Sequence, residues 1–396
     1  MNPPPGPFRP GFWRSPLRST YLTSILGSLL LVLVLAVALT GFLSHAAYQP
    51  DLGRNALVDP DLPFTTFFDW PTGPSWLYAL TQGIHVNAGL VAVPLLLAKL
   101  WSVIPRLFQW PPVRTPAEGI ERLSIALLVA STGFLFATGI ANIQYWYVFD
   151  FDFVKAHYYA AVVFVGALGV HLVVKVPVAL RAFRTRREVV GHLVAVAPDP
   201  PTVSRRGLLL GVGAGSLALL AANAGQSVGG PLRATAFLAP RREGGFPVNK
   251  TAAGAKVTED MAGAGYRLVL AGGPSELRLS RDDLLALPQA THTLTLGCVE
   301  GWSTRQTWTG IPLRELAARA GVADPSELLV ESLQPAGVLR QATLAANQIA
   351  DARSLLVLRA NGADLSMDHG YPARIIVPGL PGVHNTKWVG RLEFRA

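Results

Sequence analysis

The stretch YLTSILGSLLLVLVLAVALTGFL, residues 21–43, carries no charged side chain. A helix needs about 20 apolar residues to cross the hydrocarbon core of a bilayer, and this stretch is long enough. Further apolar runs occupy residues 76–98, 121–142, 157–180 and 207–224. The last run is mostly Gly, Ala and Leu and is the least hydrophobic of the set. The sequence therefore predicts five membrane-spanning helices.

The composition supports a chain with two kinds of domain. Of the 396 residues, 50% are hydrophobic and only 15% are charged, which is too apolar for an ordinary soluble protein. After Gly225 the hydropathy falls to that of a soluble domain. We predict a multi-domain fold, in which an all-α transmembrane bundle of five spans is followed by a mixed α+β domain.

The segments that connect the spans alternate between basic and acidic. Arginines lie before the first span, after the second and after the fourth: Arg9, Arg14, Arg18, Arg106, Arg114, Arg181, Arg184, Arg186, Arg187, Arg205 and Arg206. Aspartates lie in the other two loops: Asp51, Asp59, Asp61, Asp69, Asp150 and Asp152. Because cytoplasmic loops carry the excess of Lys and Arg, we predict the amino terminus inside and the carboxy-terminal domain outside. The net charge of +9 then reflects topology and contact with anionic lipid, and no nucleic-acid partner is expected.

A second feature predicts export of the carboxy-terminal domain. The segment Ser204-Arg205-Arg206-Gly207, followed by the weakly hydrophobic fifth span, resembles a twin-arginine translocation signal embedded in the chain. Such a signal carries folded domains across the bacterial cell membrane, which suits a domain that receives its cofactor in the cytoplasm. The alternative is two ordinary arginines at the cytoplasmic end of a helix. No obvious small-residue cleavage site follows, so the fifth span is predicted to remain as an anchor.

Histidines in the apolar runs are candidate haem ligands. His85, His157 and His171 lie inside predicted spans, and His45 lies at the end of the first span. Because ionisable residues are costly inside a membrane, those that occur there are candidates for a function. His171 follows His157 by 14 positions, which on a helix is about 21 Å along the axis and about 40° around it. Two ligands on one face at two depths would suit two stacked b-type haems. The alternative is that these histidines are structural, buried and bonded to backbone carbonyls. His192, in the basic segment after the fourth span, is predicted to be a solvated surface residue.

This histidine pattern is similar to the four-helix cytochrome b subunits of formate dehydrogenases and nickel hydrogenases, which carry two histidines on their fourth helix. The resemblance fails on the first span, because its inner half, residues 21–31, has no histidine. By depth we pair His45 with His157 and His85 with His171. The alternative pairs His85 with His157 and leaves a single haem.

Strand and helix signals in the carboxy-terminal domain do not alternate as they would in a doubly wound sheet. Strands are predicted at residues 266–271, 276–280, 291–296, 327–333, 354–359, 373–377 and 388–395, and helices at 281–287 and 312–320. The pair Asn361-Gly362 predicts a hairpin turn. Cys298, after the third strand, is the single cysteine, which excludes intrachain disulfides, cysteine-ligated iron–sulfur clusters and a CxxCH haem site.

Six motifs follow one another in this domain. They are Cys298-Val299-Glu300-Gly301-Trp302-Ser303, Trp308-Thr309-Gly310-Ile311-Pro312-Leu313, Asn361-Gly362, His369-Gly370-Tyr371-Pro372-Ala373-Arg374, Val377-Pro378-Gly379 and Lys387-Trp388. In this order they resemble the molybdopterin-binding domain of the sulfite oxidase family over residues 246–396. Within that family the chain looks nearest to the periplasmic methionine sulfoxide reductase branch.

The resemblance implies a molybdenum site in which Cys298 is the one protein ligand. Arg374 and Lys387 would anchor the pterin phosphate, for which a forked guanidinium and a compact ammonium are both suited. His369 would hydrogen-bond the pterin. Further cofactor contacts are expected from Asn249, Lys250, Thr251, Asn385 and Thr386.

Two residues bear on the substrate and the direction of the reaction. Asn249 lies where sulfite oxidases place a substrate-binding arginine, and Glu300 follows the cysteine by two positions. Because a neutral amide holds a sulfite dianion less well than a guanidinium, the sequence favours reduction of a small oxygenated substrate such as a sulfoxide, with electrons from the quinone pool through the haems. The alternatives are sulfite-type oxidation with the opposite electron flow, and an electron-transfer cytochrome whose outer domain only binds a partner. Cys298 favours an enzyme, because a degenerate domain has little reason to keep a thiolate beside phosphate anchors.

The predicted organisation has six parts. They are a basic cytoplasmic head (1–20), a cytochrome b-like bundle (21–183), a basic linker with the twin-arginine motif (184–206), the fifth span (207–225), a second linker (226–245) and the molybdopterin domain (246–396).

Overall fold

The computed structural model of the chain describes residues 3–9, 11–48, 68–151, 153–186, 194–195, 199–241 and 244–396. Several residues used in the charge and histidine arguments lie outside these ranges: Asp51, Asp59, Asp61, Asp152, Arg187 and His192. The chain divides into two compact units. Residues 1–39 and 85–222 form the helical unit, and residues 40–84 and 223–396 form the sheet unit.

Five long apolar helices occur in the described part of the chain. They are α1 (Thr20–Tyr48), α2 (Leu77–Leu107), α3 (Pro116–Ile143), α4 (Phe153–Thr185) and α5 (Arg205–Ala221). Each belongs to a segment long and apolar enough to cross a membrane, and the last such segment is Arg205–Val228. The prediction of five apolar helices is confirmed, and the chain is a candidate multi-pass membrane protein.

A side-chain cap sets the start of α5. The hydroxyl of Ser204 accepts a hydrogen bond from the N–H of Gly207 at 3.0 Å, so that Arg205 and Arg206 lie in the first helical turn. Positive charge is unfavourable at this end of a helix dipole. Arg205 and Arg206 therefore do not stabilise the start of α5, and helix stability does not explain their presence.

In the helical unit, α1, α2 and α5 share an apolar cluster. It consists of Leu22, Leu26, Leu95 and Ala98, with Leu208, Leu209 and Val212 packed against it. Other large side chains point outward, and Val32, Leu39 and Val173 are each more than half exposed. Apolar surface on this scale is typical of helices that face lipid.

The sheet unit contains two β-sheets and several short helices. The strands are β1 (Leu268–Ala271), β2 (Leu277–Leu279), β3 (Ala290–Gly297), β4 (Ser303–Pro312), β5 (Glu327–Ser332), β6 (Gln341–Ala345), β7 (Leu355–Ala360), β8 (Ala363–Asp364), β9 (Arg374–Ile376) and β10 (Val389–Arg395). The short helices are α6 (Ala224–Val228), α7 (Ala252–Ala255), α8 (Glu259–Ala262), α9 (Arg281–Ala286), α10 (Leu313–Ala320) and α11 (Ala346–Ala350). One sheet has the order β2-β1-β10-β5-β6, and the other has β3-β4-β7-β8 with β9 also paired to β7. The predicted mixed α+β fold is confirmed.

The seven predicted strands and both predicted helices are present, with ends shifted by at most about two residues, as is usual for such boundaries. Asn361 and Gly362 turn the chain between β7 and β8 with φ angles of 53° and 83°. Strands β4, β6 and β8 were not predicted. The hydroxyl of Thr309 on β4 lies 2.9 Å from that of Thr291 on β3. This polar cross-strand pair supports β4, whereas strands were predicted from alternating apolar residues.

The core of the sheet unit also contains residues from the end of α1 and the start of α2. Ala47, Trp70 and Tyr78 are buried in the same cluster as the strands of the first sheet. The indole N–H of Trp70 donates to the carbonyl of Gly379 at 2.8 Å. Residues that the sequence analysis assigned to the bundle and its loop therefore complete the interior of the carboxy-terminal domain.

Candidate functional site

Cys298 lies immediately after β3, in a tight turn. Its N–H donates to the carbonyl of Trp302 at 2.8 Å, and its own carbonyl accepts from the N–H of Gly301 at 3.0 Å. Gly301 has a φ of 92°, a conformation that favours glycine. The thiol is 3% exposed, and burial raises the pKa of Cys298 well above its usual range. A thiol in this setting becomes a thiolate only with a strong partner such as a metal ion.

Cys298 lines a small, partly open cavity in the sheet unit. The cavity is lined by Phe246, Pro247, Asn249, Leu296, Cys298, Trp302, His369, Arg374, Gly382 and Lys387. Five of these residues, Asn249, Cys298, His369, Arg374 and Lys387, are sequence-predicted site residues. The fold therefore brings together residues from four separate parts of the sequence.

Arg374 is one of two cations at the cavity, and its side chain is buried. Its Nη1 donates to the carbonyl of His369 at 3.0 Å and its Nη2 to the carbonyl of Asn385 at 3.3 Å, and the guanidinium lies 5.3 Å from the ring centre of Trp308. Its Nε is buried and has no hydrogen-bond partner in the described structure. Burial lowers the pKa of Arg374 to about 9.

Lys387 is the second cation and is partly buried. Its Nζ donates to the carbonyls of Lys250 at 2.6 Å and Asp368 at 2.9 Å. Burial, together with the charge of Arg374, lowers the pKa of Lys387 to about 7. Among the described residues, no carboxylate forms an ion pair with Arg374 or Lys387. Buried charges are normally paired, so the cavity is built for an anion.

His369 is fixed on both ring nitrogens. Nε2 lies 3.1 Å from the carbonyl of Phe246 and therefore donates to it, while Nδ1 lies 2.8 Å from Ser366 Oγ and accepts from that hydroxyl. The ring stacks on Phe246 with centroids 3.7 Å apart, and burial lowers the pKa of His369. The neutral imidazole forms a flat wall of the cavity.

Asn249 is held against the cavity by its neighbours. Its Oδ1 accepts from the N–H of Lys250 at 2.9 Å, and its carbonyl accepts from Arg241 Nη2 at 2.8 Å. Arg241 also bonds Glu300 at 3.3 Å. No sequence motif had drawn attention to Arg241, which precedes the recognisable motifs.

Glu300 does not line the cavity. Its Oε2 accepts from the indole N–H of Trp302 at 2.5 Å and from Arg241 Nε at 3.3 Å. The carboxylate is thus used to hold Trp302, which does line the cavity. In this arrangement the Glu300 carboxylate is bonded within the turn that carries Cys298.

Four other expected cofactor contacts are absent from the cavity lining: Lys250, Thr251, Asn385 and Thr386. Thr251 caps α7, and Asn385 bonds its own loop through Val377 N–H at 2.7 Å and the carbonyl of Pro381 at 3.2 Å. Lys250 supplies its carbonyl to Lys387. The bonds of Thr251, Asn385 and Lys250 shape the loops that carry the lining residues, whereas the buried Oγ1 of Thr386 has no hydrogen-bond partner in the described structure.

The helical unit brings two of the candidate haem ligands together. The ring centres of His85 and His157 are 6.2 Å apart, and the rings are inclined by 73°. His85 Nδ1 lies 2.9 Å from the carbonyl of Val37, and His157 Nδ1 lies 2.9 Å from Thr138 Oγ1. Both rings therefore use Nδ1 for support.

This pair is the alternative from the sequence analysis and not the favoured pairing of His85 with His171. Helix α4 begins at Phe153, four residues before the predicted start, so His157 lies a turn inside its helix and reaches the level of His85. His171 makes no ring contact with another histidine in the described chain, and its buried Nδ1 has no partner there. His45 is buried in the part of α1 that belongs to the sheet unit.

Comparison with known proteins gives consistent matches to one part of the chain. Residues 255–396 match the family model described as oxidoreductase molybdopterin binding domain. Mitochondrial sulfite oxidase from Mus musculus is 33% identical over 159 residues, which cover 33% of this chain and 29% of that protein. NADH nitrate reductase from Spinacia oleracea is 35% identical over 95 residues, covering 22% of this chain and 10% of that protein. The chain thus spans less than a third of the length of the curated sulfite oxidases that it matches.

A solved structure gives a weaker likeness. The sulfane dehydrogenase SoxCD from Paracoccus pantotrophus is 29% identical, with a TM-score of 0.31, over 33% of this chain and 38% of that chain.

The residues at the cavity fit molybdopterin. A phosphate would neutralise Arg374 and Lys387, which lack a carboxylate partner in the described structure, and would give the unpartnered Nε of Arg374 an acceptor. The buried thiol of Cys298 is suited to a soft metal ion, which stabilises the thiolate. Residues 255–396 are therefore a molybdopterin-binding oxidoreductase domain, homologous to those of sulfite oxidase and nitrate reductase.

Proposed function

We propose that the protein is a membrane-bound molybdenum oxidoreductase that exchanges electrons between a b haem in its helices and a molybdopterin centre in an exported domain. The observation that carries the proposal is that a buried thiol, Cys298, a buried cation, Arg374, and a partly buried cation, Lys387, line one cavity. A structural protein would have no use for such costly burial without a bound anion and a metal.

Within this proposal each residue of the cavity has a role. Cys298 holds molybdenum, Arg374 and Lys387 hold the pterin phosphate, and His369 offers its fixed neutral ring to the pterin. Phe246 and Trp302 line the cavity and would exclude water from it, which strengthens each polar interaction there. When bound, the cofactor supplies two-electron oxygen-atom transfer.

For the substrate, we propose a small neutral oxygenated compound such as a sulfoxide. Asn249 presents a neutral amide at the cavity, and Arg241 is already engaged by Glu300 and by the Asn249 carbonyl. The two remaining cations are needed for the phosphate. A sulfite dianion would thus lack a free guanidinium, although the similarity to sulfite oxidases keeps sulfite as the second candidate.

For the haem, we propose a single site between His85 and His157. An iron atom between the rings would lie about 2 Å from one nitrogen of each imidazole. With the distance from each of these nitrogens to its ring centre added, the two ring centres would be separated by close to the observed 6.2 Å. Metal-bound histidines usually hydrogen-bond through their other nitrogen, as both rings do here, with Val37 and Thr138. The electron partner would be the quinone pool in the surrounding bilayer.

A purified, detergent-solubilised sample tests the whole proposal. We expect molybdenum and haem b to be present together, and anaerobic addition of a quinol to reduce the haem. Methionine sulfoxide should then reoxidise it. If sulfite reduces the haem instead, the direction of electron flow is the opposite one, and a sample without molybdenum despite cofactor supply would contradict the proposal.

For the location of the domain, we propose that α5 follows a twin-arginine signal and that the sheet unit lies outside the cytoplasm. The support is the position of Arg205 and Arg206 in the unfavourable first turn of α5. Arginines at 106, 114, 181, 184 and 186 lie near or beyond the carboxy-terminal ends of α2 and α4, and aspartates at 69 and 150 precede those helices. All of these charges agree with one orientation.

Replacing both Arg205 and Arg206 by Lys should leave the carboxy-terminal domain in the cytoplasm while the first four helices still insert. Lysine keeps the charge that sets helix orientation but lacks the guanidinium fork. Protease added to spheroplasts should digest residues 231–396 in the wild type and spare them in the double variant. Equal digestion of both would identify the segment as an ordinary anchor. Replacing Arg184 and Arg186 by Lys is the matched control and should not change accessibility.

The affinity of the cofactor-free protein for metal-free molybdopterin should fall as the pH rises from about 7 to 8. The folded pKa of Lys387 is about 7, so the lysine loses its positive charge across this window, whereas a phosphate monoester with a second pKa of about 6 stays dianionic. The metal-free pterin is used because binding of molybdenum would release the proton of Cys298, whose pKa is raised, and would oppose this trend. The affinity should weaken by up to about tenfold per pH unit. Lys387→Met should bind weakly at pH 6.5 and show little pH dependence up to pH 8, which lies below the pKa of about 9 of Arg374. The exposed Lys256→Met should behave as wild type. Titration calorimetry measures both, and a flat wild-type profile would contradict the assignment.

A further inference from the structure

The turn that carries Cys298 is bonded to the first turns of α2. Gln82 Nε2 donates to the carbonyl of Val299 at 2.6 Å, and the Gln82 side chain is buried. Gln82 lies far outside residues 255–396, which match the family model. The contact is therefore a feature of this chain and not of the matched domain alone.

The approach of α2 to this turn is close. A Cβ on Gly297 would lie 3.1 Å from the Cα of Ala79 and 3.1 Å from the Tyr78 ring. Glycine at the end of β3, facing an alanine on α2, lets the two backbones come near enough for Gln82 to reach. Small residues on both β3 and α2 therefore allow this contact.

The peptide that Gln82 bonds lies beside the Cys298 side chain. The N–H of Glu300 belongs to the same peptide group as the carbonyl of Val299. The Gly301 N–H closes a turn onto the Cys298 carbonyl at 3.0 Å, and in such a turn the N–H two residues after position 298 is within reach of the side chain there. A hydrogen bond to the carbonyl polarises the amide and strengthens any bond that its N–H donates. Gln82 is therefore linked through one peptide group to the surroundings of the metal-ligand atom.

We propose that Gln82 is a positioning residue of the molybdenum site, one that orients the 299–300 peptide and tunes the electron density on the Cys298 thiolate. The inference rests on the proposed function, because it needs molybdenum on Cys298. Hydrogen bonds to a ligand sulfur stabilise its negative charge and raise the reduction potential of the metal. The start of a membrane helix thus helps to set the potential of the centre.

The test is a redox titration of the Mo(V) electron paramagnetic resonance signal in Gln82→Met. Methionine fills a similar volume without a donor, so any bond from the Glu300 N–H to the sulfur should weaken and the molybdenum potential should fall. We expect about a threefold change in the Mo(V)/Mo(IV) ratio at a fixed ambient potential, equivalent to about 28 mV at 59 mV per tenfold. The g-values should shift as well, which a purely structural role at a distance would not produce.

Two variants provide matched controls. Ser227 Oγ donates to the carbonyl of Gly301 at 2.6 Å, so Ser227→Ala loosens the same turn without touching the 299–300 peptide. Asn347 Nδ2 donates to the carbonyl of Trp70 at 3.1 Å, and Asn347→Leu removes another amide-to-carbonyl bond made by residues 68–84. Both should keep the wild-type potential and g-values.

An unchanged potential and spectrum in Gln82→Met would overturn the inference, and so would an equal shift in Ser227→Ala. If Gln82→Met does not retain molybdenum, Gln82→Asn, which withdraws the amide by one methylene, is measured in the same way with the same expectation. A wild-type protein that never carries molybdenum would instead contradict the proposed function. The two failures are therefore distinguishable.

Discussion

Cys298→Ala should lower substrate-dependent turnover by at least about a hundredfold while leaving the haem spectrum and its reduction by quinol intact. The thiol is the one cysteine sulfur in the chain, and Cys298 lines the cavity together with Arg374 and Lys387. Loss of even a supporting group commonly costs 10- to 100-fold at metal sites, so loss of the ligand itself should cost more. The measurement is sulfoxide-driven reoxidation of quinol-reduced haem.

The matched variant is Cys298→Ser, which keeps the volume but offers a harder oxygen ligand. It should retain some molybdenum by metal analysis and show altered Mo(V) resonances, with activity well below wild type. Wild-type activity in Cys298→Ala toward the true substrate would remove Cys298 from the metal and the molybdenum assignment with it.

Replacing either His85 or His157 by Ala should abolish the b-type spectrum, because each ring would supply one axial ligand to the same haem. The rings lie 6.2 Å apart, with both Nδ1 atoms already bonded. The reduced-minus-oxidised spectrum of the wild type should correspond to one haem per chain. Molybdenum content should be unaffected by either substitution.

His171→Ala and His45→Ala are the controls, and both should keep the full spectrum. The sequence analysis favoured two haems, with His157 and His171 each holding one. Two haems per chain, with half of the absorbance lost in His171→Ala, would restore that arrangement and contradict the single site. No haem at all would make the four histidines structural.

The parts of the fold that follow from local pattern were predictable. Five apolar helices and seven strands come from hydropathy and β-propensity, and the turn at Asn361-Gly362 from residues that tolerate positive φ. Strand β4 could not be predicted from local pattern, because its contacts with β3 include paired threonines. The position of His157 along α4 was misjudged. The four residues before it are helical, whereas the nearby Asp150 and Asp152 had suggested a loop.

The site divides in the same way. Residues carried by motifs, such as Cys298, Arg374 and Lys387, meet at the cavity as the resemblance implied. Whether a carboxylate points into a cavity depends on its neighbours in space, so the sequence could not reveal that Glu300 is held by Arg241 and Trp302. Gln82 left no signal at all, because a polar residue near the end of a membrane span is ordinary.

Because Trp70 and Tyr78 are buried in the core of the sheet unit, a recombinant fragment cut at residue 246 would be missing part of its own interior. Burial of a large apolar side chain contributes about 1.5–3 kcal/mol, and the loss of two such rings is a large share of a typical stability of about 5–15 kcal/mol. The vacated surface would also be apolar and open to aggregation. Attempts to produce the catalytic portion in soluble form should therefore retain residues 68–84, for example by circular permutation.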